Sequence, residues 1–328
     1  VESSPVTTPS SAVRGLSISV DNKTGLLNIS RMTPEVVGEI GDSGVWTIFV
    51  YMCGTDLETN YGMGTGDIAE MCAASDSDNV RFVVETGGTY EWQNSAVESE
   101  SIQRFVVQHG AIEAVDEQPR TSMGSSLTLS DFLLWGVENY ASEHMGVVLW
   151  DHGGGSVTGI CFDERENYDS LSLAELDEAL YTYYGQRGRR FDFIGFDACL
   201  MGTVETANIL ATYADYMYGS EETEPGSGWD YTAIGDFLAS NPDADGLMLG
   251  KVVCDSFLAA CKAQNDDTLT TLSVIDLGNI DTLLNAFNIF ASGMYNVSSN
   301  TAVRAEIIRA IEQADNFGGN NKSEGYTN

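Results

Sequence analysis

From residue 46 onward, the sequence alternates short apolar runs with windows of helical periodicity. The runs are rich in Val, Ile, Phe and Tyr, and they cover residues 45–53, 80–86, 102–109, 146–151, 191–197, 216–222 and 269–277. Runs of this length are typical of strands, and the windows between them are long enough for helices. The alternation therefore predicts an α/β fold with a mostly parallel central sheet that is covered by helices on both faces.

The chain divides into three predicted regions. Residues 1–44 form an N-terminal extension that opens with a Ser-, Thr- and Pro-rich stretch typical of linkers. Residues 45–238 hold the alternating pattern, and residues 239–328 form a helix-rich C-terminal appendage. We expect the sequence to be a piece of a longer chain from which a secretory or lipoprotein signal has been removed, which predicts a secreted or cell-surface protein.

The composition is strongly acidic, with 15 Lys and Arg against 49 Asp and Glu and a formal net charge of −34 at pH 7. Such a surface repels nucleic acid and anionic lipid, and it favours basic peptides or divalent cations as partners. A solvated acidic surface that maintains solubility is the simpler interpretation. No apolar run reaches about 18 residues, so the sequence predicts no membrane-spanning helix.

Two apolar runs end in residues that carry chemistry. His152 and Gly153 follow the run at 146–151, and Cys199 follows the run at 191–197. Because groups beyond the carboxyl ends of parallel strands share one edge of the sheet, we expect His152 and Cys199 to lie close together. An imidazole can take the proton of a thiol, and the Gly153 and Cys199 amides can stabilise an oxyanion. The alternatives are a structural histidine and an inert core cysteine.

Four segments, taken in order, resemble the clostripain family of cysteine endopeptidases. They read WTIFVYMCGTDLE (46–58), VVLWDHGGG (147–155), FDFIGFDACLMGTVE (191–205) and GSEETEPGSGWDY (219–231). The resemblance implies a three-layer caspase-like sandwich over residues 45–238. It also implies a Cys199–His152 dyad that works through an acyl-enzyme without a third residue, with the Gly153 amide in the oxyanion hole.

The resemblance further implies cleavage after Arg, or in some members Lys, with Asp197 at the base of the S1 pocket. Period-2 geometry places residues 197 and 199 on the same side of an extended segment. We expect Glu222, Glu224 and Asp230 to strengthen the negative field of the cleft and Trp229 to form an apolar wall. Asp197 as a capping residue and Trp229 as a packing residue are the alternatives.

Family members also process themselves between the histidine and the cysteine. Arg165 lies there in a polar, loop-like stretch, FDERENYDS, which predicts self-cleavage after Arg165. No cofactor is required by this chemistry, and no metal site is predicted, although calcium remains an optional ligand because it activates clostripain. Two other functions stay open: a catalytically inactive caspase-like module that binds basic peptides, and a thiol or serine esterase.

Overall fold

The computed structural model of the protein describes residues 14–35, 38, 40–266, 270–314 and 317–318. The strands are β1 (Leu16–Val20), β2 (Leu27–Arg31), β3 (Asp42–Cys53), β4 (Val80–Gly87), β5 (Ser101–Gln108), β6 (Ala111–Pro119), β7 (Ser142–Trp150), β8 (Ile160–Asp163), β9 (Asp169–Leu171), β10 (Phe191–Asp197), β11 (Ala214–Gly219) and β12 (Ser273–Asp276). The helices are α1 (Thr55–Tyr61), α2 (Met63–Ala73), α3 (Ser126–Tyr140), α4 (Gly155–Thr158), α5 (Leu173–Arg187), α6 (Val204–Leu210), α7 (Tyr231–Ser240), α8 (Gly246–Gln264), α9 (Ile280–Val297) and α10 (Thr301–Gln313).

An eight-stranded sheet runs through the molecule in the order β12-β11-β10-β7-β3-β4-β5-β6. The five strands from β11 to β4 are parallel to one another, and the strands at both edges are antiparallel. Parallel strands need crossover connections, and the intervening helices supply them. The predicted α/β class with a mostly parallel central sheet is therefore confirmed.

The helices cover both faces of this sheet because its central strands are apolar on both sides. Along β3, Phe49 and Tyr51 belong to one buried cluster, whereas Val50 and Met52 belong to the other, as the period of two requires. Helices α3, α5 and α6 pack on the first face, and α2, α7 and α8 pack on the second. Helix α5 begins at a capping box that Ser172 and Glu175 form.

The structure corrects the predicted regions at two places. It has no break at residue 238, because α8 packs its Leu249 and Phe257 into the second core and β12 pairs with β11. The helix-rich appendage therefore begins only at α9. In the N-terminal region, β1 and β2 form a hairpin and β3 already begins at Asp42; residues 1–13 lie outside the described part. Across the described residues, no helix is long and apolar enough to cross a membrane.

Candidate active site

The carboxyl ends of β7 and β10 meet at one edge of the sheet. The two strands pair in parallel with Trp150 opposite Asp197, and the Asp151 N–H donates to the Asp197 carbonyl at 3.4 Å. The chain then continues to His152 on one side and to Cys199 on the other. Both residues line one cavity of about 290 Å³. The expected proximity of the histidine and the cysteine is thus present in the structure.

Gly153 brings the two strand ends into backbone contact. A Cβ atom at this position would lie 2.0 Å from the Cys199 carbonyl oxygen, so only glycine fits. Immediately after Cys199, Leu200 adopts a φ of 64°, which is unusual for a side chain of its size. The Leu200 amide donates to the Glu222 carbonyl at 3.1 Å, which fixes this sharp turn. The backbones of residues 153 and 199 are therefore in contact beside the cavity, whose described lining includes His152 and Cys199 but not Gly153.

The Cys199 thiol is half-buried and contacts the loop after β11. The Glu224 N–H donates to Sγ at 3.2 Å. Burial raises the pKa of the thiol above its ordinary value, and the Glu224 N–H partly offsets this by favouring the thiolate. Among the described contacts of Cys199, no hydrogen bond joins Sγ to His152. The resting cysteine is therefore a thiol that needs a base before it can attack a carbonyl.

His152 has a partner that the sequence analysis did not anticipate. Its Nε2 lies 3.0 Å from the Asp56 Oδ1 atom, in a pair that is 44% exposed at the histidine and 34% exposed at the aspartate. Asp56 lies in α1, directly beyond the end of β3, and β3 is the other neighbour of β7. Asp56 follows the carboxyl end of a parallel strand, as His152 and Cys199 do. The sequence therefore contained a signal that could have identified Asp56 as part of the site.

Acidic residues line the cavity beside His152 and Cys199. Asp197 accepts hydrogen bonds from the Tyr231 hydroxyl at 2.9 Å and the Trp229 N–H at 3.3 Å, and burial raises its pKa to about 7. Asp67, from α2, accepts from the Trp150 indole at 2.6 Å, and burial together with the charge of Asp197 raises its pKa. After Asp56, Asp67 is a second residue of the site that the sequence analysis missed, because it follows no strand.

Glu224 adds a third carboxyl group. The residue is partly exposed, but both carboxyl oxygens are buried and have no hydrogen-bond partner. Burial and the nearby Asp197 raise the pKa of Glu224 well above its ordinary value. Of the described residues that line the cavity, none is Lys or Arg. Burying an ionised carboxyl group costs free energy unless a cation pairs with it. The cavity is therefore suited to a positively charged ligand.

Three residues predicted for the cleft lie outside the cavity lining. Trp229 is 1% exposed, and its indole packs against Gly195, where a Cβ atom would lie 2.5 Å from the ring; it is a packing residue and not a cleft wall. Asp230 caps α7 by accepting from the Ala233 N–H at 2.8 Å. Glu222 is buried and accepts from the Thr223 and Gly318 amides. The expectation that these side chains face a ligand is corrected accordingly.

Arg165 lies in a short 3-10 helix between β8 and β9, not in an open loop. Its side chain is 13% exposed, and the guanidinium donates to the Ser99 carbonyl at 2.6 Å and to Glu100 Oε1 at 3.0 Å and lies over the Tyr90 ring. The loop-like character inferred from FDERENYDS is therefore wrong. Self-cleavage after Arg165 stays a prediction that requires this turn to open.

Fold and site together define a class of protein: an α/β sandwich that presents a cysteine and a histidine beyond adjacent parallel strands, as thiol-dependent hydrolases do. The sequence profile of the clostripain family matches residues 50–324. The chain belongs to the clostripain family of cysteine peptidases.

Solved structures agree with this fold. A secreted C11 cysteine protease from Bacteroides thetaiotaomicron, "iotapain", is similar with a TM-score of 0.58 and 17% identity over 73% of this chain and 68% of that one. An inactive zymogen C11 protease from Parabacteroides distasonis gives a TM-score of 0.55 and 21% identity over 76% and 65%. At these identities the likeness concerns the fold alone. Among curated protein sequences, none matches the chain.

Proposed function

We propose that the protein is an endopeptidase that cleaves after basic residues, Arg and to a lesser extent Lys, through Cys199 and His152. One observation carries the proposal: the cavity that His152 and Cys199 share is also lined by Asp67, Asp197 and Glu224. A positive P1 side chain would supply the cation that these carboxyl groups lack.

The chemistry follows from the positions of the groups. His152 takes the proton of the Cys199 thiol, and the thiolate attacks the carbonyl carbon of the scissile bond. The resulting oxyanion accepts hydrogen bonds from the Gly153 and Cys199 amides. The imidazolium then gives its proton to the departing amine, which leaves an acyl-enzyme. A water molecule, deprotonated by His152, hydrolyses the thioester and frees the thiol.

Recognition of P1 would involve two kinds of acid. Asp197 is held in place by Tyr231 and Trp229, so it offers a fixed acceptor for a guanidinium. Glu224 is unpartnered and lies on the loop that donates to Sγ, so a bound cation could pair with it directly. Two carboxylates favour a planar guanidinium with several donors over an ammonium, which supports a preference for Arg.

The similarity to a protease described as secreted supports a secreted or cell-surface location. Nucleophile and base are both side chains, so the reaction needs no metal ion, and calcium would act on folding or on the loops. In the described part of the chain, no group of three or more His, Cys, Asp or Glu could hold a metal ion.

Labelling with an irreversible peptide electrophile that carries Arg at P1 tests the proposal. We expect covalent modification at Cys199, competition by Arg peptides over Leu peptides, and loss of labelling and cleavage in Cys199→Ala. Cys72→Ala is the matched control, because Cys72 is also partly buried but lies outside the cavity. Reversible binding without labelling would instead indicate an inactive peptide-binding module. Hydrolysis of simple esters without a basic side chain would indicate an esterase.

A further inference from the structure

The Asp56 carboxylate is the only described hydrogen-bond partner of the His152 ring. The contact joins Asp56 Oδ1 to His152 Nε2 at 3.0 Å. Asp56 comes from the end of β3, His152 from the end of β7 and Cys199 from the end of β10, and these three strands are neighbours in the sheet. The three side chains thus form a row along one edge of the sheet, with the imidazole in the middle.

A carboxylate on one ring nitrogen determines what the other nitrogen does. Asp56 can only accept when it is ionised, so Nε2 must carry the proton of this hydrogen bond. The neutral ring then has its lone pair on Nδ1, which is the nitrogen that remains for the thiol. We propose that Asp56 is a positioning residue: it fixes the tautomer and orientation in which His152 takes the proton of Cys199, and it stabilises the imidazolium that forms. The inference rests on the proposed role of His152 as the base.

The backbone before Asp56 is held in an unusual conformation. Thr55 has a φ of 43°, which is rare for a β-branched residue and is found mainly where the surrounding structure imposes it. The Thr55 carbonyl accepts from the Thr89 hydroxyl at 3.0 Å, and the preceding Gly54 N–H donates to the Gly87 carbonyl at 2.8 Å. These hydrogen bonds join the start of α1 to the end of β4, so they fix the position of the Asp56 backbone.

Other titratable groups near this pair have different partners. Asp151 is buried and accepts from the Phe162 N–H, and Tyr168 and Glu164 approach from the β8–β9 turn. Glu164 is bonded to Thr59, Thr89 and Tyr90. None of these groups has a described hydrogen bond to the imidazole. An exposed pair such as Asp56–His152 adds little to folding stability, so its value is in orienting the ring.

The test compares Asp56→Ala and Asp56→Asn with wild type. Asp76→Ala is the matched control, because Asp76 contacts His109 at 2.5 Å on an exposed surface away from the cavity. Alkylation of Cys199 by iodoacetamide is followed by mass spectrometry across pH, beside kcat, KM and thermal unfolding. We expect Asp56→Ala to lower kcat at least about tenfold with little change in KM, and to move Cys199 alkylation to higher pH. Asp56→Asn should retain more activity, and Asp76→Ala should match wild type.

The results distinguish a failure of the positioning role of Asp56 from a failure of the proposed function. If wild type cleaves Arg peptides while both Asp56 variants keep the wild-type kcat and alkylation profile, the positioning role is wrong and the function stands. If wild type cleaves no peptide but the alkylation profile still depends on Asp56, the positioning role stands and the function is wrong. Should Asp56→Ala fail to fold, the alkylation profile of Asp56→Asn decides, because this variant keeps the size of the side chain.

Discussion

Strand β7 has a histidine at each end, His144 near its amino end and His152 just beyond its carboxyl end. Strand β10 has Asp192 near its amino end and Cys199 just beyond its carboxyl end. The two ends differ in how far these polar groups find hydrogen-bond partners within the protein. At the amino end, His144 Nδ1 lies 2.8 Å from Asp192 Oδ1, and the Met145 N–H donates to Asp192 Oδ2 at 2.9 Å. The imidazole also stacks on Trp46, with ring centroids 4.9 Å apart. Every polar atom of the Asp192 carboxylate is thus occupied within the protein.

The carboxyl end is the opposite case. His152 is 44% exposed, against 22% for His144, and the nearby Glu224 carboxyl has no partner. In open α/β sheets, ligands bind in the crevice beyond the carboxyl ends of the parallel strands, which is the edge where His152 and Cys199 lie. Residue type alone therefore does not mark a site. What distinguishes the reactive end is the set of groups that the fold leaves unsatisfied.

Asp197→Asn should give the largest change at the carboxyl end. The Asn side chain keeps the size and the contacts from Tyr231 and Trp229 but loses the charge that faces P1. We expect kcat/KM for Arg peptides to fall about 10- to 100-fold, the size of a charged hydrogen bond, with the loss mainly in KM. Steady-state assays on matched Arg and Leu peptides measure this. An equal loss for both peptides would contradict the S1 assignment.

The same variant has a second, pH-dependent signature. Burial raises the pKa of Asp197 to about 7 in the folded chain, whereas the pKa of an Asp in an unfolded chain is about 4. Between these values the folded chain holds a proton that the unfolded chain has released, so this group lowers stability as pH rises. The free energy of unfolding of Asp197→Asn, relative to wild type, should therefore increase from about pH 4 to 7. A constant difference in urea titrations would show that the carboxyl is not buried as described.

Asp192→Asn should show the reverse behaviour at the amino end. It removes one acceptor from the half-buried pair with His144, which should lower the free energy of unfolding by about 1 kcal/mol. Because the pair is at the far end of the strands, kcat/KM should stay at the wild-type value. Asp76→Asn, beside the exposed His109, is the control and should change stability by less. If Asp192→Asn lowered kcat/KM but left the free energy of unfolding unchanged, the amino end would serve activity and not stability. That result would contradict the difference drawn between the two ends.

The fold could be predicted where hydrophobic burial dictates it. The apolar runs of β3, β4, β7 and β10 are buried on both faces, so their sequences read as strands without ambiguity. Strand β6 was missed because it is an exposed edge strand, and its sequence, AIEAVDEQP, carries acids where an inner strand carries Val or Ile. The boundary at residue 238 was wrong because β12 is short and half-buried, so its place in the sheet depends on pairing with β11.

The site could be predicted for those residues that follow neighbouring parallel strands, because the strand order places them at one edge of the sheet. His152, Gly153 and Cys199 each follow a long apolar run, and one crossover makes the runs neighbours. Glu224 could be suspected only from its segment, since its lack of a partner depends on tertiary packing. Asp67 comes from the second turn of a helix, and its approach to Asp197 has no counterpart in local sequence.

The smallest expected effect is on the rate of self-cleavage after Arg165. Its guanidinium is held by Ser99 and by the exposed carboxylate of Glu100, so opening of the β8–β9 turn must break both contacts. Glu100→Gln removes one exposed ion pair, which should speed self-cleavage after Arg165 about two- to fivefold. Glu138→Gln is the matched control, since it removes the ion pair of Arg187, another arginine in the same interval. N-terminal sequencing over time should find a new terminus at Glu166 in wild type, gained faster in Glu100→Gln and at the wild-type rate in Glu138→Gln. A terminus that follows Arg187, or a chain that stays intact in an active enzyme, would rule out Arg165 as the processing site.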